Sequence, residues 1–374
     1  MKYYLIAGEA SGDLHAANLM KVLLETDSEA EFRYMGGDLM QEVSGGMLMH
    51  YRETNYMMLD VLFHLRKIFR NISLIKRDVL EWKPDVLIPV DYPGFNMRIT
   101  RFASTKGIRV FYYILPKVWA WKQRRVNSLK LYVDRLFSIL PFEVEFFSRF
   151  NMEVEYFGNP LVDHVESFRE QFEGEGGWRE RHGLGDLPLV ALLAGSRKKE
   201  IETTLPAMLV LAGERPDYQF VVAGAPSIPT SLYEQFLQGS NVKIVYNETY
   251  ALLECAEAGL VTSGTATLEA ALFELPQVVL YRTSRVAYTI AKRLIKINFI
   301  SLVNLIYGKK LVEEVIQNKL AKRARNEFNR ILDNHDYRRE MQEGYRVLKD
   351  GLGKRGVSQR IGQRMNELLN EEIE

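Results

Sequence analysis

Short apolar runs alternate with longer amphipathic ones along the chain. Tyr3–Ala7, Phe32–Gly36, Val86–Val90, Ile108–Ile114, Phe137–Leu140 and Val154–Phe157 are too short for a buried helix and too continuously apolar for a half-exposed strand. Such runs read as strands covered on both faces. Between them apolar positions recur near helical spacing, as at Leu14, Ala17, Leu19, Val22 and Leu23. The series starts again with Leu187–Leu193, Tyr218–Ala223, Val242–Val245, Ala258–Val261 and Gln277–Tyr281. Strand–helix alternation of this kind predicts an α/β chain of two doubly wound domains. The expected division is 1–165, joined by a C-terminal helix from about 345–374, and 166–344. Gly174-Glu175-Gly176-Gly177 is the most linker-like spot, and a hinge is expected near 160–180. From about Leu311 the chain reads as helical and highly charged, with a final helix near Val357–Leu369 expected to pack back on the first domain.

Length and composition support this reading. A chain of 374 residues fits two domains, and 47% hydrophobic with 26% charged residues is an ordinary globular balance. The net charge of +1 points to neither nucleic acid nor an acidic partner. The single cysteine, Cys255, excludes a disulfide within the chain and fits a reducing compartment. Its neighbours Leu252, Leu253 and Ala256 make it a small core residue rather than a nucleophile. The apolar run before Gly8 is too short for a signal segment, and no window approaches the roughly 18 apolar residues that would span a bilayer.

The candidate chemistry collects where strands end. Thr262-Ser263-Gly264-Thr265-Ala266-Thr267 lies between an apolar strand and a helix that Pro276 stops. A small hydroxyl and glycine turn opening a helix offers unpaired N–H groups and a positive dipole end, which suit a phosphate. Glu269, one turn in, suits a ribose diol; an ordinary capped helix with a solvated glutamate is the competing reading. Gly195-Ser196-Arg197 is a second anion-type turn, with Arg197 as a bidentate partner. Glu200 is either a sugar contact or a first-turn carboxylate favoured by the helix dipole.

In the first half, Gly8-Glu9-Ala10-Ser11-Gly12-Asp13 follows the first strand without the G-x-G-x-x-G spacing of a dinucleotide site. Glu9 and Asp13 there serve either a ligand or the loop and a helix cap. Asp91 closes an apolar strand, where a partly desolvated carboxylate suits a general base; an N-cap or turn aspartate is the competing reading. Pro116–Arg125 brings Trp119, Trp121 and Arg124 together, a pattern that could stack a ring and hold anionic charge. The basic amphipathic stretch at 56–70 is either a core helix or a segment lying on an anionic membrane. Asn304, flanked by Leu and Val, either satisfies backbone or meets a ligand.

Taken together these motifs resemble the lipid-A-disaccharide synthase family, inverting glycosyltransferases of family 19. The resemblance rests on Ala7–Asp13, Lys83-Pro-Asp85 with Asp91–Asn96, Val118-Trp-Ala-Trp121 with Arg124-Arg125, and Leu140-Pro-Phe-Glu143. It continues through Gly158-Asn-Pro-Leu161, Gly195–Arg197, Ser263–Ala266 with Glu269, and Ser301–Leu305, in the family's order over most of the chain.

The resemblance implies a GT-B fold of two Rossmann-like domains facing a cleft. It implies transfer of 2,3-diacylglucosamine from UDP-2,3-diacylglucosamine to the 6-hydroxyl of 2,3-diacylglucosamine 1-phosphate, with UDP released. It implies no cofactor, no metal and no nucleic acid, and peripheral attachment to the cytoplasmic face of the inner membrane through 56–70, as monomer or homodimer. Gly195, Ser196, Arg197 and Ser263–Thr267 would hold the diphosphate, Glu269 the ribose, and Glu9, Ser11, Gly12 and Asp13 would face the acceptor. Two departures stand out. Gly94 replaces an aspartate that is a favoured catalytic candidate in many members, which leaves Asp91 as the base with Asp13 second. Leu115-Pro116-Lys117 stands where Ser-Pro-Ser is common. Within the same fold the alternatives are another UDP-sugar transferase or a UDP-N-acetylglucosamine 2-epimerase. Outside catalysis the alternative is a nucleotide-binding protein at the membrane surface.

Overall fold

In the computed structural model the described residues are 1–53, 61–121, 123–284, 288, 289, 293 and 297–371; for 61–65 this covers the backbone alone. The chain forms two compact units, Met1–Asp163 with Gly353–Glu374, and His164–Leu352.

The first unit runs β1 (Lys2–Ala7), α1 (Ala10–Thr26), β2 (Glu31–Gly36), α2 (Asp38–Val43), β3 (Met47–His50), α3 (Val61–Trp82), β4 (Val86–Val90), α4 (Pro93–Ser104) and β5 (Arg109–Tyr113). It continues with α5 (Arg125–Tyr132), β6 (Arg135–Ser138), α6 (Pro141–Ser148), β7 (Glu155–Tyr156) and the start of α7 (Leu161–Gln171). The strand order is β3-β2-β1-β4-β5-β6-β7, every pair parallel. Tyr3 through Ala7 are all 0% exposed, because β1 is central and has helices on both faces. Tyr3, Leu5 and Ala7 point to one core, shared with Leu19, Met20 and Leu23. Tyr4 and Ile6 point to the other, with Ile75, Val79, Phe95 and Ile99. Each such side chain contributes about 1.5–3 kcal/mol of burial.

The second unit contains α8 (Glu175–Arg181), β8 (Leu189–Leu193), α9 (Lys198–Gly213), β9 (Gln219–Gly224), α10 (Thr230–Leu237), β10 (Lys243–Tyr246) and α11 (Thr249–Cys255). It ends with β11 (Ala258–Thr262), α12 (Thr265–Leu272), β12 (Gln277–Tyr281), α13 (Leu302–Tyr307), β13 (Glu313–Ile316), α14 (Leu320–Asp333) and α15 (His335–Gly351). Its sheet, β10-β9-β8-β11-β12-β13, is again wholly parallel. In each sheet the order reverses beside the first strand, between β1 and β4 and between β8 and β11. Ligands of doubly wound sheets bind beyond the carboxyl ends at such reversals.

The last helix, α16 (Val357–Glu371), packs on α1 of the first unit, as expected. Ile361, Met365 and Leu368 join the core of Leu19 and Leu23. The two helices approach so closely that a Cβ on Gly362 would come within 2.5 Å of Val22 Cγ1. Asp163 caps the helix: its carboxylate accepts from the backbone N–H of Gly356 (2.7 Å), Val357 (3.1 Å) and Ser358 (2.9 Å).

Three expectations are corrected. The stretch from Leu311 is not helical throughout, since Glu313–Ile316 is the edge strand β13. Gly174–Gly177 is not a linker, because helix α8 begins at Glu175 and buries Trp178 completely. Met47–His50, in which no element was foreseen, is β3, an edge strand of the first sheet.

Candidate functional site

In the first unit the site is built around Asp91. Apolar β4 is buried along its whole length and then stops abruptly. Asp91 (φ 44°) and Tyr92 (φ 47°) both take the left-handed conformation, and so does Ile114 (φ 60°) at the end of the neighbouring strand. Non-glycine residues avoid this region, and clusters of such strain gather at functional sites. The strain is held by hydrogen bonds. The Asp91 N–H donates to the carbonyls of Tyr113 and Ile114, both at 3.2 Å. Its own carbonyl accepts from Asn96 Nδ2 (2.7 Å) and the Tyr112 hydroxyl (2.8 Å). The Asn96 amide also reaches the carbonyls of Ile6 (3.3 Å) and Val90 (3.2 Å), tying together the ends of β1 and β4. Gly8 leaves room for the Tyr92 ring, which a Cβ there would meet at 2.2 Å.

The partly buried Asp91 carboxyl is pushed up to about 6. Burial is the main cause and Glu9 adds to it, while Lys117 and the Tyr92 N–H pull the other way. Such a carboxyl is ionised at neutral pH yet still basic enough to accept a proton. Gly94, two residues into α4, points its missing side chain into open space.

The other first-unit candidates divide. Glu9 and Ser11 are exposed at the start of α1, whereas Gly12 is buried against Ala7. Asp13 is 3% exposed, and its carboxylate caps α2 rather than facing a ligand. It accepts from the N–H groups of Gly37 (2.7 Å), Leu39 (3.1 Å) and Met40 (3.3 Å). The helix it caps is the next one along, not its own. Trp119 is 9% exposed and stands edge-on to Phe142, so it is not an open stacking platform. Trp121 is 41% exposed with the Arg125 guanidinium 5.7 Å from its ring centre, and Arg124 is exposed beside it.

Glu143, part of a motif noted in the sequence but given no role, lies close by in the same unit. It is 1% exposed and accepts from Trp119 Nε1 (2.8 Å) and from the Ser138 hydroxyl. Its carboxyl is pushed up to about 7, chiefly by burial and further by Asp91, against the two hydrogen bonds and Lys117.

In the second unit two turns open helices. After β8, Gly195 (φ 110°) takes a conformation that favours glycine. The N–H groups of Ser196 and Arg197 are not open to solvent anions here, because Glu200 Oε2 accepts from both (3.1 and 3.3 Å). Glu200 also pairs with Arg197 Nη1 at 3.4 Å, so its carboxylate caps the start of α9 from the first turn. Here Glu200 stands as a first-turn carboxylate bonded to the start of its own helix.

After β11, exposed Gly264 precedes α12 with no side-chain cap. Thr265 is exposed and Ala266 half-buried. Ser263 donates its hydroxyl to the Ile300 carbonyl (3.1 Å). Thr267, expected at the diphosphate, is 0% exposed and its hydroxyl turns back to the Gly264 carbonyl (2.8 Å). Glu269 Oε1 accepts from the Tyr250 hydroxyl at 2.9 Å. Burial raises the Glu269 carboxyl, and the Tyr250 hydrogen bond opposes that. Tyr250 also lines a groove of about 540 Å³ with Phe168, Phe172, Trp178 and Glu248.

Asn304, expected at a substrate, lies in the interior. It is 0% exposed, donates to the Val312 carbonyl and Glu314 (both 2.9 Å), and accepts from the N–H groups of Leu311 (2.7 Å) and Val312 (2.9 Å). All four of these side-chain hydrogen bonds are internal. Of the basic stretch at 56–70, residues 56–60 lie outside the described residues. Within α3, Arg66, Lys67 and Arg70 are exposed, Phe69 is 51% exposed, and the Arg98 guanidinium lies 4.9 Å from the Phe69 ring centre. Among the described residues no helix is long and apolar enough to cross a membrane.

Comparison with solved structures agrees with the two-sheet architecture. The chain superposes on a UDP co-structure of MnaA from S. aureus with a TM-score of 0.68 at 13% identity, covering 99% of this chain and 97% of that one. It superposes on a UDP-GlcNAc 2-epimerase from Neisseria meningitidis bound to UDP-GlcNAc with a TM-score of 0.63 at 13% identity, covering 98% and 100%. A glycotransferase of kitacinnamycin gives 0.66 at 12% identity, covering 98% and 99%. At such identities the likeness is one of fold, the GT-B fold. Sequence relatives are more specific. A lipid-A-disaccharide synthase of Myxococcus xanthus is 36% identical over 98% of this chain and 97% of its own length. One of Geobacter sulfurreducens is 34% identical over 99% and 97%. The family model described as lipid-A-disaccharide synthetase matches residues 3–361. With family model and relatives in agreement over nearly the whole length, the chain belongs to the lipid-A-disaccharide synthase family, glycosyltransferases of lipid A biosynthesis.

Proposed function

We propose that this chain transfers 2,3-diacylglucosamine from UDP-2,3-diacylglucosamine to the 6-hydroxyl of 2,3-diacylglucosamine 1-phosphate, with Asp91 as general base. The observation that carries the base assignment is the strained, partly buried Asp91 carboxyl at the end of β4, pushed up to about 6. Asp91 takes the proton of the acceptor hydroxyl as its oxygen attacks the sugar C1. The bond from C1 to the diphosphate oxygen breaks, inverting the anomeric centre, and UDP leaves. Arg197 and the uncapped N–H groups of α12 offset the charge gathered on the diphosphate. Glu269, steadied by Tyr250, accepts from the ribose hydroxyls. Glu9 and Ser11, exposed beside Asp91's strand, meet the acceptor. The exposed basic and aromatic face of α3 rests on the anionic surface from which a diacylated acceptor must come, at the cytoplasmic side of the inner membrane.

The test is UDP release from the diacylated donor, with and without diacylglucosamine 1-phosphate in detergent micelles and without added metal. Acceptor-dependent release is the expected result. Conversion of plain UDP-N-acetylglucosamine without a lipid acceptor would overturn the substrate assignment in favour of an epimerase. Asp91→Asn should abolish turnover and leave UDP binding intact.

A further inference from the structure

The backbone of Asp91 hangs on a loop that is anchored elsewhere. The Asp91 N–H donates to the carbonyls of Tyr113 and Ile114 (both 3.2 Å). The Ile114 N–H in turn donates to the Phe137 carbonyl of β6 (3.0 Å), so the residue that holds Asp91 is held from its other side. Ile114 is also where β5 turns into the loop, in a left-handed conformation (φ 60°) that a β-branched residue avoids. Within the loop Val118 N–H donates to the Pro116 carbonyl (2.6 Å) and Ala120 N–H to that of Lys117 (3.2 Å). The side-chain anchor is Trp119, whose indole Nε1 donates to Glu143 Oε1 at 2.8 Å. Glu143 Oε2 accepts from the hydroxyl of Ser138, the residue after Phe137 at the end of β6. These contacts close a ring: Asp91 to Ile114, Ile114 to Phe137, Ser138 to Glu143, Glu143 to Trp119, and back along the loop. Trp119, Ser138 and Glu143 are all buried.

We propose that Glu143 is a positioning residue for the transfer: by holding the Trp119 indole it fixes the loop whose first carbonyl holds Asp91. The proposal rests on the reading of Asp91 as the base. The link is a hydrogen bond and not a charge. Burial pushes the Glu143 carboxyl up to about 7, so near neutral pH it is present in both forms, and either form offers the indole an acceptor. Without that acceptor the buried indole N–H is left unpaired, which costs more than the bond itself contributes, and the loop shifts to satisfy it. A strained residue such as Ile114 keeps its conformation only while its surroundings over-determine it. A loosened loop releases Ile114, and the Asp91 backbone with it.

The experiment compares UDP release, UDP affinity and melting temperature for the parent protein, E143M, W119F, the two combined, and E143Q. Methionine removes the acceptor; phenylalanine removes the indole N–H and keeps a ring to stand edge-on to Phe142. Each should lower kcat by at least about tenfold, since a small misplacement of a reacting group is that costly. The KM for the acceptor should change less, and UDP affinity should stay at the parental level. The combined variant should turn over no more slowly than either single one, because both remove the same link. E143Q should restore kcat: its amide oxygen accepts from the indole, and its NH2 donates to the Ser138 hydroxyl, which can turn to the Leu140 carbonyl at 3.1 Å. W119F keeps the test alive even if E143M folds poorly. Parental kcat in W119F and E143M, whether or not the melting temperature falls, overturns the proposal. So do additive losses, or an E143Q as slow as E143M, which would make the charge the working feature. D91N separates the two failures. If D91N turns over normally, the base assignment is wrong. If D91N is inactive while W119F and E143M keep parental kcat, only the positioning role is wrong.

Discussion

The Tyr250 hydroxyl donates to Oε1 of Glu269 at 2.9 Å, which orients the carboxylate that stands one turn into α12. The bond has an electrostatic consequence. Burial raises the Glu269 carboxyl, and the hydroxyl is what holds it down. Tyr250→Phe should therefore raise it further. Loss of one such bond is worth about 1 kcal/mol, roughly fivefold in donor affinity. The loss should grow as pH falls, because the protonated acid accepts fewer ribose hydrogen bonds. Titration calorimetry of UDP binding at several pH values would show it; a constant affinity ratio across pH counts against the ribose role.

Glu200 occupies the N–H groups that a diphosphate at the Gly195 turn would need. Glu200→Ala should lower stability by about 0.5–2 kcal/mol through loss of the cap. It should also tighten binding of UDP by at least about twofold, since a like charge leaves the anion's position. Weaker UDP binding in this variant would mean that Glu200 contacts the bound nucleotide instead.

Gly94 faces open space within the first turn of α4. Gly94→Asp should fold as well as the parent, gaining about 0.3–1 kcal/mol from a carboxylate at the helix N-terminus. The new charge near Asp91 should displace the acid limb of the rate profile to higher pH. An unmoved limb would place that side chain too far from Asp91 to act on it.

Asp163→Ala should free three N–H groups at the start of α16 and cost about 1–2 kcal/mol. Hydrogen exchange should quicken first in α16 and in the α1 face it covers. Uniform quickening across both units would argue against a local cap.

The interior strands were legible because parallel strands covered on both faces leave unbroken apolar runs, as at Val86–Val90. The edge strands β3 and β13 leave no such trace, although the edges β7 and β10 do. Glu313-Glu314-Val315-Ile316 looks like charged helix, yet Glu314 is there because its carboxylate accepts from the N–H groups of Ile300 and Ser301 and from the Ser301 hydroxyl and Asn304 amide. That network also explains Asn304, which supports the turn at Ser263 from behind rather than meeting a ligand. Asp91 was legible from its place after an apolar run. Glu143 was not, since only the tertiary fold brings Trp119 and Ser138 around it.

The return of α16 to the first unit constrains the order of events during synthesis. The face of α1 that carries Leu19 and Leu23 is covered by residues that leave the ribosome only after the whole second unit. The second unit is complete in sequence by Leu352, before the first has all its parts. The first unit must therefore wait, with an apolar helix face uncovered, while the second is already able to fold. A chain shortened at Leu352 should mature its second unit normally and leave the first prone to aggregation or to capture by chaperones.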